Sequence, residues 1–255
     1  MGRADLWGVP GKVVNAAPAI NAAFLTGHTT LRLQVMGDDI NRPANPAEIA
    51  EMRDLLTRCL EEGSLGLSTG LFYPPARAAP TDEVVQIARH LGNHGGIYVT
   101  HMRDEADNVI ESVHESLEIG RQCGVAVVIS HHKCMGRKNF GSSVETLALL
   151  ETARQRQRVS WDVYPYTAGS SALLPELVQQ SSRTIITWSE SRPEACGRDL
   201  TDVAAGMRCT TAEAVERLQP AGAMYFMMDE ADVTRIMCSS CASHDGSLGS
   251  AIRPD

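Results

Sequence analysis

VAVVISHH, at residues 125–132, is the stretch of sequence that decides the fold. Its first five residues are apolar without alternation, as in a strand of a parallel sheet that helices cover on both faces. Further strands are predicted at 31–36, 65–69, 97–101 and 159–164. Because helical patterns lie between these strands, they predict repeated βα units around one parallel sheet.

The segments between the strands predict helices with recognisable ends. Asn45-Pro46 opens one of them, since asparagine is a good cap and proline suits the first turn. Thr81 is expected to cap the next helix, and Gly124 to end the one that follows strand 97–101. A further helix is predicted over 143–156.

The regular alternation breaks after residue 166. Residues 167–221 show helical patterns but no barrel strand before AMYFMM at 223–228, so we interpret them as an insertion. A last strand is expected over 238–246. The predicted division is 1–166 for the βα units of the barrel, 167–221 for the insertion and 222–255 for the region of the last barrel strand.

The number of strands bears on which α/β fold this is. About six strands fall short of the eight that a closed (β/α)8 barrel needs. A doubly wound sheet could use six, but no Gly-x-Gly-x-x-Gly follows the first strand. The sequence therefore predicts the α/β class, as a partial TIM (β/α)8 barrel with an insertion before its last strand.

Composition excludes some classes of partner. The formal net charge is −8, and no stretch is rich in lysine and arginine, so nucleic acid and anionic membranes are poor candidates. No apolar run approaches the ~20 residues of a membrane span. The first residues show no signal pattern, so we expect a cytoplasmic protein whose seven cysteines are reduced.

Polar side chains follow the predicted strands, where active sites gather in parallel α/β folds. They are His101, His131, His132, Tyr164, Tyr166 and Asp245. A single histidine at such a place is an ordinary loop residue in most proteins. Three histidines and an aspartate in one series favour a metal site, because imidazoles ligate zinc and a carboxylate can move a proton.

The remaining cysteines and carboxylates that could carry chemistry are interpreted as structural residues. Cys238-x-x-Cys241 has the spacing of a redox or zinc pair, but no second pair accompanies it, so we interpret it as part of a buried strand. Cys134 is interpreted as a buried cysteine. Asp104 and Glu105 could form a carboxylate pair, but they stand at a predicted helix start, where stabilisation of the helix dipole is the plainer interpretation.

Six motifs in collinear order carry a family resemblance. They are LSTGLFYPP (67–75), YVTHMRDE (98–105), VVISHHKCMGRKNFG (127–141), DVYPYTAGSS (162–171), TIITWSESRPE (184–194) and SHDG (243–246). Together they resemble the N-acyl-D-amino-acid deacylases, which include D-aminoacylases and N-acyl-D-glutamate deacylases, of the amidohydrolase superfamily. The resemblance implies a (β/α)8 barrel of the amidohydrolase type, beside a small β-sandwich.

The resemblance also implies roles for named residues. It implies that His101 and His131 ligate zinc at the ends of barrel strands five and six, and that Asp245 is the general acid and base. Substrate contacts are implied for Tyr73, Lys133, Tyr164 and Ser170, of which the last three would hold the α-carboxylate. Arg103 is expected to contact the substrate or to support the site, and His132 is not assigned to the metal.

The chemistry implied is hydrolysis of the amide of an N-acyl-D-amino acid, a small-molecule partner. Zinc would polarise the carbonyl, Asp245 would carry the proton, and Tyr73 could donate to the developing oxyanion. Lys133 would bind the carboxylate and so help to distinguish D from L substrates.

Two departures from the family pattern limit this expectation. The family's His-x-His pair does not occur in this sequence, which begins where the third strand is due. Relatives also continue beyond the aspartate of SHDG into a long C-terminal region, whereas this sequence ends at residue 255. We therefore expect an internal piece of a deacylase, with weak zinc binding and little hydrolysis. The alternatives are another amidohydrolase, acting on a cyclic amide or a dipeptide, and a catalytically silent scaffold.

Overall fold

The computed structural model describes Asn15 and residues 19–239, and these form two compact units. The first unit comprises the described parts of Met1–His132, Glu145–Val163 and Ser239–Asp255. The second comprises Lys133–Val144 and Tyr164–Cys238. The division of the chain into βα units, an insertion and a last-strand region, with boundaries at residues 166 and 221, stays a prediction.

A five-stranded parallel sheet forms the centre of the first unit. Its strands are β1 (Thr26–Gly27), β2 (Gly66–Gly70), β3 (Ile97–His101), β4 (Ala126–Ile129) and β5 (Val159–Trp161). They lie in chain order, β1-β2-β3-β4-β5, and every neighbouring pair is parallel. Winding in one direction is the order of a (β/α)8 barrel, whereas a doubly wound sheet reverses part-way. The fold is thus α/β and of partial barrel type, as predicted.

Helices alternate with these strands. They are α1 (His28–Met36), α2 (Pro46–Glu61), α3 (Pro74–Arg77), α4 (Thr81–Ala88), α5 (Val109–Cys123) and α6 (Ser143–Arg154). Asn45 caps α2 in a capping box with Glu48, as its sequence predicts. Gly124 ends α5 in the left-handed conformation, also as predicted. Thr81 is not a cap: Pro80 holds that position, and the Thr81 hydroxyl bonds to Glu115 instead.

The prediction of a strand at 31–36 is wrong, because these residues belong to α1. The letters LRLQVM alternate between apolar and polar, which imitates a strand. Leu31, Arg32 and Met36 are nevertheless the buried members of this segment. Arg32 is buried although charged, and this one residue makes the sequence pattern misleading.

A buried ionic cluster explains the position of Arg32. Its Nη1 pairs with Glu83 of α4, its Nε donates to the Pro75 carbonyl at 2.9 Å, and its Nη2 donates to the Ile40 carbonyl at 2.7 Å. His28 Nε2 lies 3.4 Å from the same carboxylate. Arg32, Glu83 and His28 are all at most 1% exposed. The cluster therefore ties α1 and α4 to the segments around Ile40 and Pro75.

Burial of His28 makes stability depend on pH. Loss of hydration lowers the pKa of His28 below its ordinary value of 6.5, and Arg32 acts in the same direction. Below pH 6.5, His28 of the unfolded chain thus binds a proton that His28 of the folded chain does not bind. The contribution of His28 to the free energy of unfolding is complete above pH 6.5 and decreases as the pH falls towards the lowered pKa of His28.

We expect urea unfolding to show this loss between pH 7.5 and 5.5, with a slope of up to about 1.4 kcal/mol per pH unit. His28→Asn should flatten the profile. His114→Asn, on the exposed face of α5, serves as the control and should leave the slope unchanged. Equal slopes in His28→Asn and the unsubstituted protein would contradict the assignment.

The second unit contains an antiparallel sheet of three strands, β6 (Ala168–Ala172), β7 (Arg183–Ser189) and β8 (Ala221–Phe226), in the order β6-β8-β7. A strand near 223–228 was predicted, but β8 pairs antiparallel with β6 and β7 instead of extending the parallel series. Its helices are α7 (Pro175–Gln180), α8 (Leu200–Gly206), α9 (Thr211–Leu218) and α10 (Glu230–Met237). Among the described residues, no helix has the length and apolar character needed to cross a bilayer.

Candidate metal centre

Two histidines meet at the carboxyl edge of the parallel sheet. His101 is the last residue of β3, and His131 follows the end of β4 by two residues. Because β3 and β4 are parallel neighbours, their ends lie side by side. His101 Nδ1 is 3.1 Å from His131 Nε2, and we call these two atoms the inner nitrogens.

Glu105 completes a cluster of three candidate ligands. Its carboxylate is 1% exposed, with Oε1 3.2 Å from His131 Nδ1 and Oε2 3.6 Å from His101 Nε2. One ligand atom from each of the three residues falls within 4.8 Å of the others. We call His131 Nδ1 and His101 Nε2 the outer nitrogens.

The interpretation of Glu105 as a helix-dipole residue is wrong. Helix α5 begins only at Val109, with Asn108 at its cap, so Glu105 lies in the preceding irregular segment. The signal that could have found it is the His-x-x-x-Glu spacing of HMRDE, in which a carboxylate follows a strand-end histidine closely.

The backbone of His131 is held in an unusual conformation. Its φ is +42°, a region that side chains other than glycine rarely adopt. The Asp162 carboxylate accepts a hydrogen bond from the His131 N–H at 2.6 Å, and the Asp162 carbonyl accepts one from His132 N–H at 2.7 Å. Asp162 directly follows β5, so the neighbouring strand fixes the turn that presents His131. Sequence reasoning did not single out Asp162.

His132 has a different environment from its neighbour. It is fully buried, and its Nε2 lies 2.8 Å from Thr146 Oγ1 on α6. This contact satisfies a polar ring atom inside the unit. The structure thus gives His132 a packing role, in line with leaving it out of the metal set.

Tyr73 lies beside His101, and its role as a substrate contact stays a prediction. It is the cap of the short helix α3, after β2, and its ring centroid is 5.0 Å from that of His101. The Phe72 ring lies 5.7 Å from the His101 ring. Both aromatic rings therefore lie against His101.

The guanidinium group of Arg103 donates hydrogen bonds to other groups of the protein. Nε and Nη2 donate to the Glu115 carboxylate at 2.9 and 2.8 Å. Nη1 donates to the Arg77 carbonyl at 3.0 Å, and Nη2 also donates to the Ala79 carbonyl at 2.9 Å. These bonds hold the segment that follows Tyr73, so the structure favours the supporting role for Arg103 over substrate contact.

In the second unit, Lys133 and Tyr164 lie together. Lys133 is 7% exposed, and its Nζ is 5.6 Å from the centre of the Tyr164 ring, within range of a cation–π contact. Ser170 is an exposed residue of β6 and pairs in register with Met224. Asp245 lies outside the described residues.

The inner nitrogens suit a zinc ion. Two nitrogens bound to one tetrahedral zinc at about 2.0–2.1 Å lie about 3.3 Å apart. The observed separation of 3.1 Å is close to that value. Catalytic zinc sites use three protein ligands, and the histidine pair has the geometry to supply two of them.

Comparison with known proteins adds to this geometry. The chain is 52% identical over 225 residues to the D-aminoacylase of Alcaligenes xylosoxydans xylosoxydans, a match that spans 88% of this chain and 46% of that protein. The N-acyl-D-glutamate deacylase of the same organism is 42% identical over 225 residues, with 88% and 46% covered. The chain belongs to the N-acyl-D-amino-acid deacylase family. The predicted family is thus confirmed, although no protein-family model matches the chain.

Solved structures agree with this family assignment. The D-aminoacylase crystal structure that defines a subset of amidohydrolases superposes with a TM-score of 0.82 at 50% identity, over 86% of this chain and 46% of that one. The N-acyl-D-glutamate deacylase of Bordetella bronchiseptica, complexed with zinc and a phosphonate inhibitor, gives 0.87 at 42% identity, over 91% and 49%. The chain therefore spans about half the length of the deacylases that it matches.

Proposed function

We propose that this deacylase-family chain takes part in zinc-dependent hydrolysis of N-acyl-D-amino acids to a D-amino acid and a carboxylate. The observation that carries the proposal is the pair of inner nitrogens, 3.1 Å apart at the carboxyl edge of a partial barrel. The named activities of the relatives supply the substrate class, and zinc is present in the related N-acyl-D-glutamate deacylase. His101 and His131 are the proposed ligands.

The residues of the chain have separate proposed tasks. Zinc, when bound, supplies the Lewis-acid chemistry that makes an amide carbonyl reactive towards water. Tyr73, beside His101, donates a hydrogen bond from its hydroxyl group to the carbonyl oxygen as negative charge develops there. Asp245 accepts a proton from water and returns it to the leaving amine.

Lys133 is proposed to bind the free α-carboxylate of the substrate, with Tyr164 and Ser170. A buried ammonium group forms a strong, charge-assisted hydrogen bond to a carboxylate. This contact favours a linear N-acyl amino acid, because a cyclic amide whose ring includes the α-carboxyl carbon has no free α-carboxylate to offer. We propose a small molecule as the partner, and a cytoplasmic location that keeps the cysteines reduced.

A substrate panel tests the proposal directly. Purified chain with added zinc is incubated with N-acetyl-D-amino acids, their L enantiomers, a dipeptide and a cyclic amide, and released amine is measured. We expect slow release from the D substrates alone, abolished by a chelator. Equal release from L substrates, or release from the cyclic amide alone, would refute it, and bound zinc without any turnover would favour a silent scaffold.

Lys133→Met is expected to raise the KM for N-acetyl-D-amino acids by at least about 10-fold, since it removes a charge-assisted bond worth about 1.5–3 kcal/mol. Lys138→Met, at an exposed lysine of the same segment, is the matched control. Steady-state kinetics measure the KM of both variants. A KM that changes no more in Lys133→Met than in the control would remove Lys133 from the substrate site.

A further inference from the structure

Gly70 lies where the Tyr73 ring meets the parallel sheet. It is the last residue of β2, and it pairs in register with His101, the last residue of β3. A Cβ atom added to Gly70 would lie 3.1 Å from Cδ2 and 3.5 Å from Cε2 of the Tyr73 ring. The ring therefore lies directly against the backbone of Gly70, in space that any other residue would need for its own side chain.

The backbone conformation does not require glycine at this position. Gly70 is not among the glycines with a positive φ, the region in which other residues are strained. Glycine weakens a strand, and within a strand it often marks the close approach of another group. The Tyr73 ring is such a group, so its contact with Gly70 accounts for the glycine.

The same ring lies beside the proposed metal centre. Its centroid is 5.0 Å from that of His101. Because Gly70 and His101 are paired residues of neighbouring strands, the ring lies across the ends of both strands. A side chain added at Gly70 would therefore displace the ring relative to the histidine.

Hydrogen bonds hold the backbone on both sides of Tyr73. Its N–H donates to the Gly70 carbonyl at 3.1 Å, and its carbonyl accepts a bond from Arg77 N–H at 2.8 Å. Arg77 Nε donates to the Phe72 carbonyl at 2.9 Å, and Arg103 Nη1 donates to the Arg77 carbonyl at 3.0 Å. The turn that carries Tyr73 therefore resists movement, and a new side chain at position 70 would make the ring tilt instead.

We propose that Gly70 is a positioning residue that places the Tyr73 ring beside His101 and thereby sets where the Tyr73 hydroxyl lies in the site. The inference rests on the proposed function of Tyr73 and deepens it. The hydroxyl is at the far end of the ring, so a tilt moves it further than it moves Cδ2. A donor to a developing oxyanion must lie within about 2.7–3.1 Å of it, so the tilt weakens this bond.

The first test measures the ring contact without substrate. NMR of the chain with labelled tyrosine and histidine should show a nuclear Overhauser effect between the rings of Tyr73 and His101, whose centroids are 5.0 Å apart. We expect Gly70→Ala to change its intensity. Gly206→Ala, whose added Cβ would meet only the end of the Arg198 side chain at 3.8 Å, is the matched control and should leave it unchanged. An absent signal in the unsubstituted protein, or an unchanged one in Gly70→Ala, would overturn the proposal.

The second test uses turnover of N-acetyl-D-amino acids. Gly70→Ala should lower kcat at least about 10-fold, a part of the roughly 10²–10³-fold that loss of a whole oxyanion donor costs, and should leave KM nearly unchanged. In the Tyr73→Phe background the same substitution should hardly change kcat, because the hydroxyl that it displaces is already absent. An unchanged kcat in Gly70→Ala, or an equal fall in both backgrounds, would contradict the positioning role.

The two tests separate this inference from the proposed function. If even the unsubstituted chain turns over no N-acetyl-D-amino acid, a changed ring contact in Gly70→Ala still supports the placement of Tyr73, and only the proposed function fails. Thermal unfolding shows whether Gly70→Ala folds. If it does not, Tyr73→Ala is added to it. Recovered folding would show that the Tyr73 ring opposes the new Cβ, as proposed, whereas continued failure to fold would overturn the proposal.

Discussion

Arg32→Met is expected to lower the free energy of unfolding by about 3–5 kcal/mol, the cost of breaking a buried ion pair from one side. The variant keeps the length and apolar stem of the side chain but leaves Glu83 as an uncompensated buried charge. It also leaves the Pro75 and Ile40 carbonyls without the donors that Arg32 supplies. Chemical denaturation at pH 7.5 measures the loss.

Two comparisons make this result specific. Arg121→Met breaks the exposed pair with Glu118 on α5, and a surface pair of this kind contributes about 0–1 kcal/mol. The double variant Arg32→Met, Glu83→Leu removes both charges and should recover much of the loss, since apolar replacements of buried pairs are often neutral. A loss in Arg32→Met no larger than in Arg121→Met would show that the cluster does not stabilise the fold.

His131→Asn is expected to weaken zinc binding by more than the about 100-fold that removal of an outer-shell partner can cost. The substitution removes one of two proposed ligands, while asparagine tolerates the positive φ that His131 adopts. The backbone bond to Asp162 can therefore persist. Equilibrium dialysis against buffered zinc measures the affinity.

His114→Asn is the matched control for this experiment, because it removes an exposed histidine of α5 that lies outside the cluster. We expect it to bind zinc like the unsubstituted protein. An equal affinity in His131→Asn and His114→Asn would show that zinc binds elsewhere, for example at cysteines.

The histidine pair could be predicted because it depends on a repeated pattern. His101 and His131 each follow an apolar strand, and parallel strands bring their carboxyl ends to the same edge of a sheet. The motifs around them then pointed to the family. The order of strands β2 to β5, and the sites that follow β3 and β4, could therefore be predicted from the sequence.

The other features depend on contacts without a local signature. The hydrogen bond from His131 N–H to Asp162 joins residues 31 positions apart, and no pattern in the sequence DVYPY indicates it. Burial of Arg32 depends on Glu83, 51 positions away. Strand β6 reads AGSSA, which has neither apolar alternation nor β-branched residues, so only its pairing with β8 makes it a strand.

X-ray absorption at the zinc edge, on the chain loaded with one equivalent of zinc, tests most directly whether the histidine pair holds the metal. We predict scattering from two imidazole rings with zinc–nitrogen distances of about 2.0–2.1 Å, and loss of that signal in the double variant His101→Asn, His131→Asn. A spectrum dominated by sulfur at about 2.3 Å, or one unchanged in the double variant, would contradict the account.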